Sequence, residues 1–155
     1  MEQYTFNKIT KDSKIPYELL LLADETTEAI NQYIFKCDIY LLYNGTENIA
    51  VMALYKNSST ELEIKNVAVI EKYRSKGIGS ILINKAKGIA KENHYTILTV
   101  GTSDTGFQQI RFYEKNGFIK SGVLKDFFLK NYPTPIYENG LQMKDMVVLS
   151  HHLTE

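Results

Sequence analysis

The sequence predicts an α/β fold in which a mixed central sheet of about seven strands is flanked by about four helices. In the first half of the chain, short β-branched and aromatic runs alternate with turn residues, which is typical of antiparallel strands. Further on, two apolar runs are separated by a segment of helical period, which predicts two parallel strands joined by a helical crossover. The 155 residues are expected to form one domain, residues 1–155.

The composition is that of an ordinary soluble globular protein. It contains 44% hydrophobic residues and 18 basic against 18 acidic residues, which gives no electrostatic reason to expect nucleic acid or a membrane surface as a partner. The longest apolar run, in IPYELLLLADE, is far shorter than the ~20 residues that span a bilayer. Cys37 is a lone cysteine and no secretory leader is evident, so we expect a reducing, cytoplasmic location.

Two short helices are predicted to follow a first strand. Residues 3–10 alternate polar and apolar side chains, which predicts a strand. Pro16 suits the first position of a helix, and the apolar residues after it predict a short helix pressed against the core. Thr26 or Thr27 can cap a second helix, because apolar residues recur after it at helical spacing. Both helices are interpreted as scaffold.

An antiparallel meander is predicted next. Residues 38–43 and 49–55 are apolar runs separated by Asn44-Gly45, the clearest hairpin signal in the chain. A fourth strand is predicted over residues 61–70. One face of this strand carries, in order, Glu61, Glu63, Lys65, Val67 and Val69. The change from polar to apolar side chains along that face predicts that the face starts in a solvent-filled cleft and ends buried from solvent.

The second half of the chain completes the sheet. Residues 96–100 predict a buried strand parallel to the fourth. A helix is predicted over residues 107–116, and Gly117 fits the left-handed position that ends many helices. Two more strands are predicted, roughly over residues 119–129 and 142–150, with the proline- and aromatic-rich loop NYPTPIYENG between them.

The junction VAVIEKYRSKGIG, between the fourth strand and the following helix, predicts an anion site. Arg74, Gly77 and Gly79 form the pattern R-x-x-G-x-G, and glycine allows the backbone to approach a phosphate closely. The free N–H groups of the helix start add to the attraction. The junction is not a Walker loop, and Leu82 replaces the third glycine of a dinucleotide fingerprint. A tight turn without a ligand is the alternative for an isolated G-x-G.

Two motifs carry a resemblance to a known family. The run VAVIEKYRSKGIGSILINKA resembles the signature motif of the GNAT acetyltransferase superfamily, and RFYEKNGF resembles its second signature. The likeness covers about residues 61–120, and the ending of the chain is similar to a narrower group of small bacterial GNAT proteins. The resemblance implies a GNAT fold with splayed fourth and fifth strands. It also implies an acetyl-CoA-dependent N-acetyltransferase with no metal, which moves the acetyl group directly to a primary amine in a ternary complex.

The resemblance also implies where acetyl-CoA binds. The backbone positions that would hold the pantetheine arm are Val67, Ala68 and Val69, for which an ordinary core strand is the alternative. The positions implied to hold the pyrophosphate are Arg74, Ser75, Lys76, Gly77, Ile78, Gly79 and Ser80. Many members carry Asn near the start of the second motif's helix, where this chain has Thr105-Gly106-Phe107. Ser103 or Gln108 can substitute for it, and Phe112 completes the expected coenzyme contacts.

Tyr113 and Glu63 are the expected catalytic residues. Tyr113 matches the family tyrosine whose hydroxyl meets the coenzyme sulfur, and a donor of pKa near 10 can protonate a leaving thiolate whose thiol pKa is roughly 8.5. An aromatic core position is the alternative. Deprotonating an amine of pKa near 10 costs about 4 kcal/mol at pH 7, so a base is expected. Glu63 leads because the family often places a carboxylate there and because it shares a face with Val67. Glu61 is the alternate, and both can instead be solvated strand residues.

The acceptor is expected near the loop before the last strand. The residues that lie where GNAT acceptors bind are Asp126, Tyr132, Tyr137 and Glu138, and a plain surface loop is the alternative. The near-neutral chain, with no long basic or acidic groove, favours a small metabolite amine such as an amino acid over a histone-like tail or a polyamine. Protein N-termini or lysines, antibiotic amines and a non-catalytic CoA-binding regulatory module are the alternatives, and a homodimer is compatible with the family. The histidines have no spaced companions, so no metal site is expected.

Overall fold

A seven-stranded mixed sheet organises the chain in the computed structural model, which describes residues 3–153. The strands are β1 (Thr5–Lys8), β2 (Asp38–Tyr43), β3 (Asn48–Lys56), β4 (Glu61–Val69), β5 (Ile97–Ser103), β6 (Ile119–Leu124), β7 (Tyr137–Glu138), β8 (Leu141–Gln142) and β9 (Met146–His152). The order in the main sheet is β1-β2-β3-β4-β5-β9-β6, and β7 pairs with β8 as a separate ribbon. Among the strands of residues 3–153, only β4 and β5 run parallel, as predicted, because a helix over residues 78–92 crosses between them.

Within the described part of the chain, five α-helices flank this sheet. They are α1 (Tyr17–Leu20), α2 (Thr27–Asn31), α3 (Ile78–Glu92), α4 (Phe107–Lys115) and α5 (Phe127–Asn131). The side chain of Thr26 caps α2 by accepting a hydrogen bond from the N–H of Ala29 at 3.0 Å, which confirms the predicted start. Within residues 3–153, no helix combines the length and the apolar character needed to cross a membrane.

Two turns follow the residue types that predicted them. Asn44 Oδ1 accepts hydrogen bonds from the N–H groups of Thr46 and Glu47 at 2.9 and 2.8 Å, and Gly45 has a φ of +98°, so the β2–β3 hairpin is confirmed. At the end of α4, Gly117 has a φ of +92°, and the N–H of Phe118 bonds back to the carbonyl of Tyr113. This is the Schellman geometry that the glycine predicted.

The expected strand over residues 119–129 is wrong in its second half. Strand β6 ends at Leu124, and Asp126 adopts a left-handed φ of +59° that breaks the extended chain before α5 begins. The loop that follows contains the β7–β8 hairpin, whose turn residues Asn139 and Gly140 both have positive φ. Asn-Gly is the strongest short hairpin signal, so this ribbon was readable from the sequence and was missed.

The sheet separates two apolar cores. On one face, α3 and α4 pack through Leu82, Ile83 and Ile110 against strand residues that include Met52 and Ile64. On the other face, α1, α2 and the 3-10 turn that follows pack through the fully buried side chains Leu20, Ile30 and Ile34 against Val51, Ala53 and Ala68. Burying a side chain of this size contributes about 1.5–3 kcal/mol, so both layers hold the strands in position.

A β-bulge in β4 opens the centre of the sheet. Ala53 pairs with Asn66 but Leu54 pairs with Ile64, so Lys65 is an extra residue on β4. The parallel ladder to β5 begins at Glu61 and ends at Ile64 opposite Val100. Beyond that point β5 continues beside β9, while β4 continues beside β3. The two strands therefore part, which confirms the splayed pair that the family resemblance implied.

Gly88 gives a stability prediction. It lies inside α3, it is exposed, and an added Cβ would meet nothing within 4 Å. Because glycine is costly in a helix interior, Gly88→Ala is expected to raise the free energy of unfolding by about 0.5–1 kcal/mol in a denaturant titration. Gly117→Ala is the contrasting variant and should lower it, since its φ of +92° strains any L-residue. A loss of stability in Gly88→Ala would contradict the prediction.

Candidate active site

The gap between β4 and β5 forms a cleft of about 700 Å³. Its walls come from β4 residues 64–69, β5 residues 100–103, the segment 21–25 between α1 and α2, and the start of α4. The C-terminal part of the chain adds Phe128, Tyr132, Glu138, Met143 and Met146. The cleft is thus a product of the bulge, since paired strands would leave no space there.

Val67, Ala68 and Val69 form the β4 rim of the cleft. Val67 and Val69 stay half-buried, so the expectation that this face ends dry is wrong. The reason is the parting of the strands, because Val67 and Val69 lie beyond the last β4–β5 pair and line the cleft. The backbone edge of these residues that faces away from β3 has no β5 partner, and apart from the Val69 carbonyl, which accepts from Nε of Arg74, it can bond an extended ligand.

The loop before α3 presents its backbone to solvent. Ser75 and Gly77 both have left-handed φ, +62° and +81°, and Gly77 caps α3. The space beside Gly77 is open, because an added Cβ would meet no atom within 4 Å. The first N–H groups of α3, from Ile78 to Ser80, have no intrahelical acceptor. The loop and helix start can therefore cradle an anion.

Gly79 has a different role from Gly77. An added Cβ at Gly79 would lie 3.0 Å from Cζ of Phe112, so the glycine allows α3 to approach α4. Beside this contact lies a recess of about 460 Å³. The residues lining it are Ser80, Gln108, Arg111, Phe112, Lys115 and Asn116. Sequence analysis missed its two cations, Arg111 and Lys115, because exposed basic residues on a helix carry no distinguishing signal.

Arg74 connects the cleft between β4 and β5 with the loop before α3. Its Nε donates a hydrogen bond to the carbonyl of Val69 at 3.0 Å, and its side chain lines the cleft. Ser75 and Lys76 are exposed in the same loop, with Nζ of Lys76 lying 5.2 Å from the centre of the Tyr73 ring. All seven positions expected to hold the pyrophosphate thus lie in one loop and the first turn of α3.

Tyr113 lines the cleft from α4 and is only 7% exposed. Its ring packs edge-on against Phe112 and Phe118, with centroid distances of 5.2 and 5.7 Å. Burial raises the pKa of the Tyr113 hydroxyl above its ordinary value. The group therefore stays protonated near neutral pH and can act as a hydrogen-bond donor.

Glu63 and Glu61 lie outside the cleft lining. Glu63 pairs with Tyr55 and Val67 pairs with Met52, and these two β3 residues point to opposite faces, so Glu63 and Val67 do not share a face. That expectation is wrong because the bulge at Lys65 reverses the alternation. The carboxylate of Glu63 accepts a hydrogen bond from Asn57 at 2.9 Å and pairs with Lys65 at 3.3 Å. Asn57 also donates to Glu61 at 2.7 Å.

The expected acceptor residues divide between the cleft and the surface. Glu138 lines the cleft and accepts hydrogen bonds from the hydroxyls of Ser103 and Thr105 at 2.9 and 3.0 Å. Tyr132 also lines it. Asp126 and Tyr137 do not line the cleft. The backbone N–H of Asp126 donates a hydrogen bond to the carboxylate of Asp145 at 2.8 Å. The side chain of Tyr137 is 66% exposed. Ser103 and Gln108 both line the cleft, and the Ser103 hydroxyl is committed to Glu138.

The segment between α1 and α2 belongs to the site, so the interpretation of these helices as scaffold alone is wrong. Asp24 lines the cleft, and its carboxylate accepts hydrogen bonds from the hydroxyls of Tyr33 at 2.9 Å and Tyr132 at 2.7 Å. The second bond ties this segment to the C-terminal loop. The neighbouring Glu25 has a raised pKa, first through burial and then through the charges of Asp24 and Glu138.

Asn66 supports this segment from β4. It is 4% exposed, and its Nδ2 donates hydrogen bonds to the carbonyl of Leu20 at 3.0 Å and to the hydroxyl of Tyr33 at 3.1 Å. Its Oδ1 is buried and has no hydrogen-bond partner within residues 3–153. A polar residue on the buried face of an otherwise apolar run was the sequence signal that could have drawn attention to Asn66.

The Acetyltransferase (GNAT) family model matches residues 6–118 of the chain. The chain is 36% identical over 133 residues to the uncharacterized N-acetyltransferase YvbK of Bacillus subtilis, with 86% of each protein covered. It is similar to the crystal structure of a GNAT family acetyltransferase from Elizabethkingia anophelis with acetyl-CoA bound, at a TM-score of 0.93 and 39% identity over 97% of this chain and 98% of that one. An IAA acetyltransferase structure from Bacillus cereus matches at a TM-score of 0.91 and 34% identity, over 97% of this chain and 100% of the other.

These likenesses agree with the site geometry. The parted strands and the buried tyrosine on α4 line one cleft, and the loop that leads to the open glycine at the start of α3 reaches it through Arg74. The expected resemblance and the expected use of acetyl-CoA are both confirmed. The chain belongs to the acetyltransferase (GNAT) family and is an acetyl-CoA-dependent N-acetyltransferase.

Proposed function

We propose that this enzyme transfers the acetyl group of acetyl-CoA directly to a primary amine of a small molecule. The observation that carries the proposal is a single cleft that holds both the open β4 edge with Tyr113 and a set of carboxylates, Asp24, Glu25 and Glu138. Its volume of about 700 Å³ lies in the range of small-molecule sites. Carboxylates lower the free energy of a bound ammonium ion.

Each coenzyme contact has a matching feature in the chain. Val67, Ala68 and Val69 bond the pantetheine arm as an added strand, because their outer backbone edge has no β5 partner. The amides from residue 74 to residue 80 hold the pyrophosphate at the start of α3. Arg111 and Lys115 suit the remaining phosphate charge of the coenzyme, since they line the adjoining recess.

Tyr113 stabilises the leaving group, which is the thiolate of coenzyme A. As the carbon–sulfur bond breaks, its hydroxyl donates a hydrogen bond or a proton to the thiolate. Burial keeps the hydroxyl protonated and excludes competing water. The ring contacts with Phe112 and Phe118 fix its direction.

The base that takes the proton of the amine was predicted to be Glu63. That carboxylate is engaged by Asn57 and Lys65 and lies outside the cleft lining. Glu25 fits the role better, because it lines the cleft and its raised pKa favours proton acceptance near neutral pH.

The test is release of free thiol from acetyl-CoA by the purified protein with a panel of small primary amines, amino acids and peptides. We expect turnover above the hydrolytic background with at least one small amine, and no turnover with peptides bearing a free N-terminus or lysine. Acetyl-CoA binding without turnover for every amine would instead indicate a regulatory module. Acetylation confined to the peptides would contradict the small-molecule assignment.

A further inference from the structure

Three carboxylates in the cleft have no ion-pair partner. Within residues 3–153 the ion pairs are Lys8–Asp38, Lys65–Glu63 and Lys72–Glu47. Asp24, Glu25 and Glu138 take part in none of them, although all three line the cleft. The pKa of Glu25 is raised first by burial and then by the charges of Asp24 and Glu138, which repel its carboxylate. The chain itself thus leaves negative charge uncompensated at this site.

The two cations that line the cleft are already engaged. Lys65 pairs with Glu63 at 3.3 Å, and its Nζ lies 5.4 Å from the centre of the Tyr55 ring. Arg74 donates to the carbonyl of Val69 in the coenzyme part of the site. Neither residue forms an ion pair with Asp24, Glu25 or Glu138. The acceptor part of the cleft is therefore net negative.

An unpaired hydrogen-bond acceptor lies on the wall of the same cleft. Asn66 lines the cleft, is 4% exposed, and has a buried Oδ1 without a donor in the described part of the chain. A buried carbonyl oxygen without a hydrogen bond costs about 1–3 kcal/mol, so a ligand that supplies an N–H group would recover that energy. Asp24, two hydrogen bonds away through Tyr33, offers a carboxylate to the same ligand.

The arrangement suits an organic cation. No set of three or more Cys, His, Asp or Glu side chains among residues 3–153 is grouped as a metal site would require. The carboxylates are instead divided between two parts of the cleft wall, with Asp24 and Glu25 between α1 and α2 and Glu138 on β7. A ligand that satisfies them carries separated positive charges and several N–H donors.

We propose that the acceptor is a small di- or polyamine, whose second ammonium group is bound by Asp24 and Asn66 while Glu25 and Glu138 add to the attraction. This inference rests on the proposed function and replaces the amino acid as the favoured acceptor, because an amino-acid carboxylate would face three like charges. One amine loses its proton and attacks the thioester carbonyl. The new carbon–nitrogen bond forms, the carbon–sulfur bond breaks, and the thiolate leaves and is protonated. The products are CoA and a monoacetylated amine that keeps its second positive charge.

Three amines of the same chain length test the proposal. Putrescine ends in a second ammonium, n-butylamine in a methyl group and γ-aminobutyrate in a carboxylate. We expect kcat/KM for putrescine to exceed that for n-butylamine at least about tenfold, with γ-aminobutyrate the poorest of the three. Asp24→Asn should lower the putrescine to n-butylamine ratio about tenfold while acetyl-CoA binding is unchanged. Glu138→Gln should lower the same ratio. This variant provides the test if Asp24→Asn does not fold.

Glu28→Gln is the matched control, because Glu28 is exposed on α2 and lies outside the cleft lining. It should leave the ratio unchanged. Calorimetry of putrescine with the protein–CoA complex gives a readout that needs no turnover. Putrescine binding that depends on Asp24 but is not followed by acetylation would contradict the proposed function. It would still support a di- or polyamine as the ligand of this cleft. A putrescine to n-butylamine ratio near one, or equal losses for all three amines in the two variants, would overturn this inference.

Discussion

Gly77→Val is expected to weaken acetyl-CoA binding by at least about 100-fold, the equivalent of losing two charge-assisted backbone hydrogen bonds. Gly77 has a φ of +81°, which a β-branched residue adopts only at a cost, and the space beside it is open. A valine side chain would fill the volume that the pyrophosphate is proposed to occupy, and it would turn the amides of the first helical turn away. Isothermal calorimetry with acetyl-CoA measures the change directly.

Gly45→Val is the matched control for this experiment. Gly45 also has a left-handed φ, +98°, and an added Cβ there would likewise meet nothing within 4 Å. It lies in the β2–β3 turn and not at the start of α3, where Gly77 is the cap. Both variants should lose stability through backbone strain, but only Gly77→Val should lose the coenzyme. Equal affinities in the two variants would remove the phosphate role from the α3 start.

Tyr113→Phe is expected to lower turnover by up to about 100-fold while acetyl-CoA affinity stays within about twofold. The change removes one hydroxyl and keeps the ring contacts with Phe112 and Phe118. The lost donor acts only when charge develops on the leaving sulfur, so kcat should fall rather than coenzyme binding. Steady-state thiol release and calorimetry separate the two effects.

Tyr40→Phe controls for the removal of a buried tyrosine hydroxyl. Tyr40 is 9% exposed, its ring stacks on Phe6 at 5.0 Å, and burial raises its pKa as it does for Tyr113. It lies outside the cleft lining, so its kcat should match that of the parent protein. A Tyr113→Phe enzyme as fast as Tyr40→Phe would reduce Tyr113 to a packing role.

Local chemistry explains which parts of the fold were predictable. The β2–β3 hairpin and the end of α4 depend on Asn44-Gly45 and Gly117, which act within a few residues of themselves. The parallel β4–β5 pair follows from the helix between the strands. Helix α5 could not be predicted from the sequence, because a helix of five residues shows little periodicity. Asp126 also gives no strong signal for the left-handed turn that it adopts.

The coenzyme part of the candidate site could be predicted from the sequence because it depends on short motifs. The acceptor part depends on contacts between residues far apart in the chain. Asp24 reaches Tyr132 across more than a hundred positions of the chain, and no local pattern links them. The bulge at Lys65 depends on how β3 and β4 pair, and it decides which face Glu63 occupies. Alternation along a single strand therefore gave the wrong neighbour for Glu63.

The parting of β4 from β5 also bears on how long the protein survives in a cell. A ligand that binds only the folded chain shifts the folding equilibrium, by about 2.7 kcal/mol when its concentration is a hundred times its Kd. Acetyl-CoA, which we propose to bind in this gap, is expected to be such a ligand. A low concentration of acetyl-CoA is therefore expected to lower the free energy of unfolding and to raise the fraction of molecules open to proteolysis.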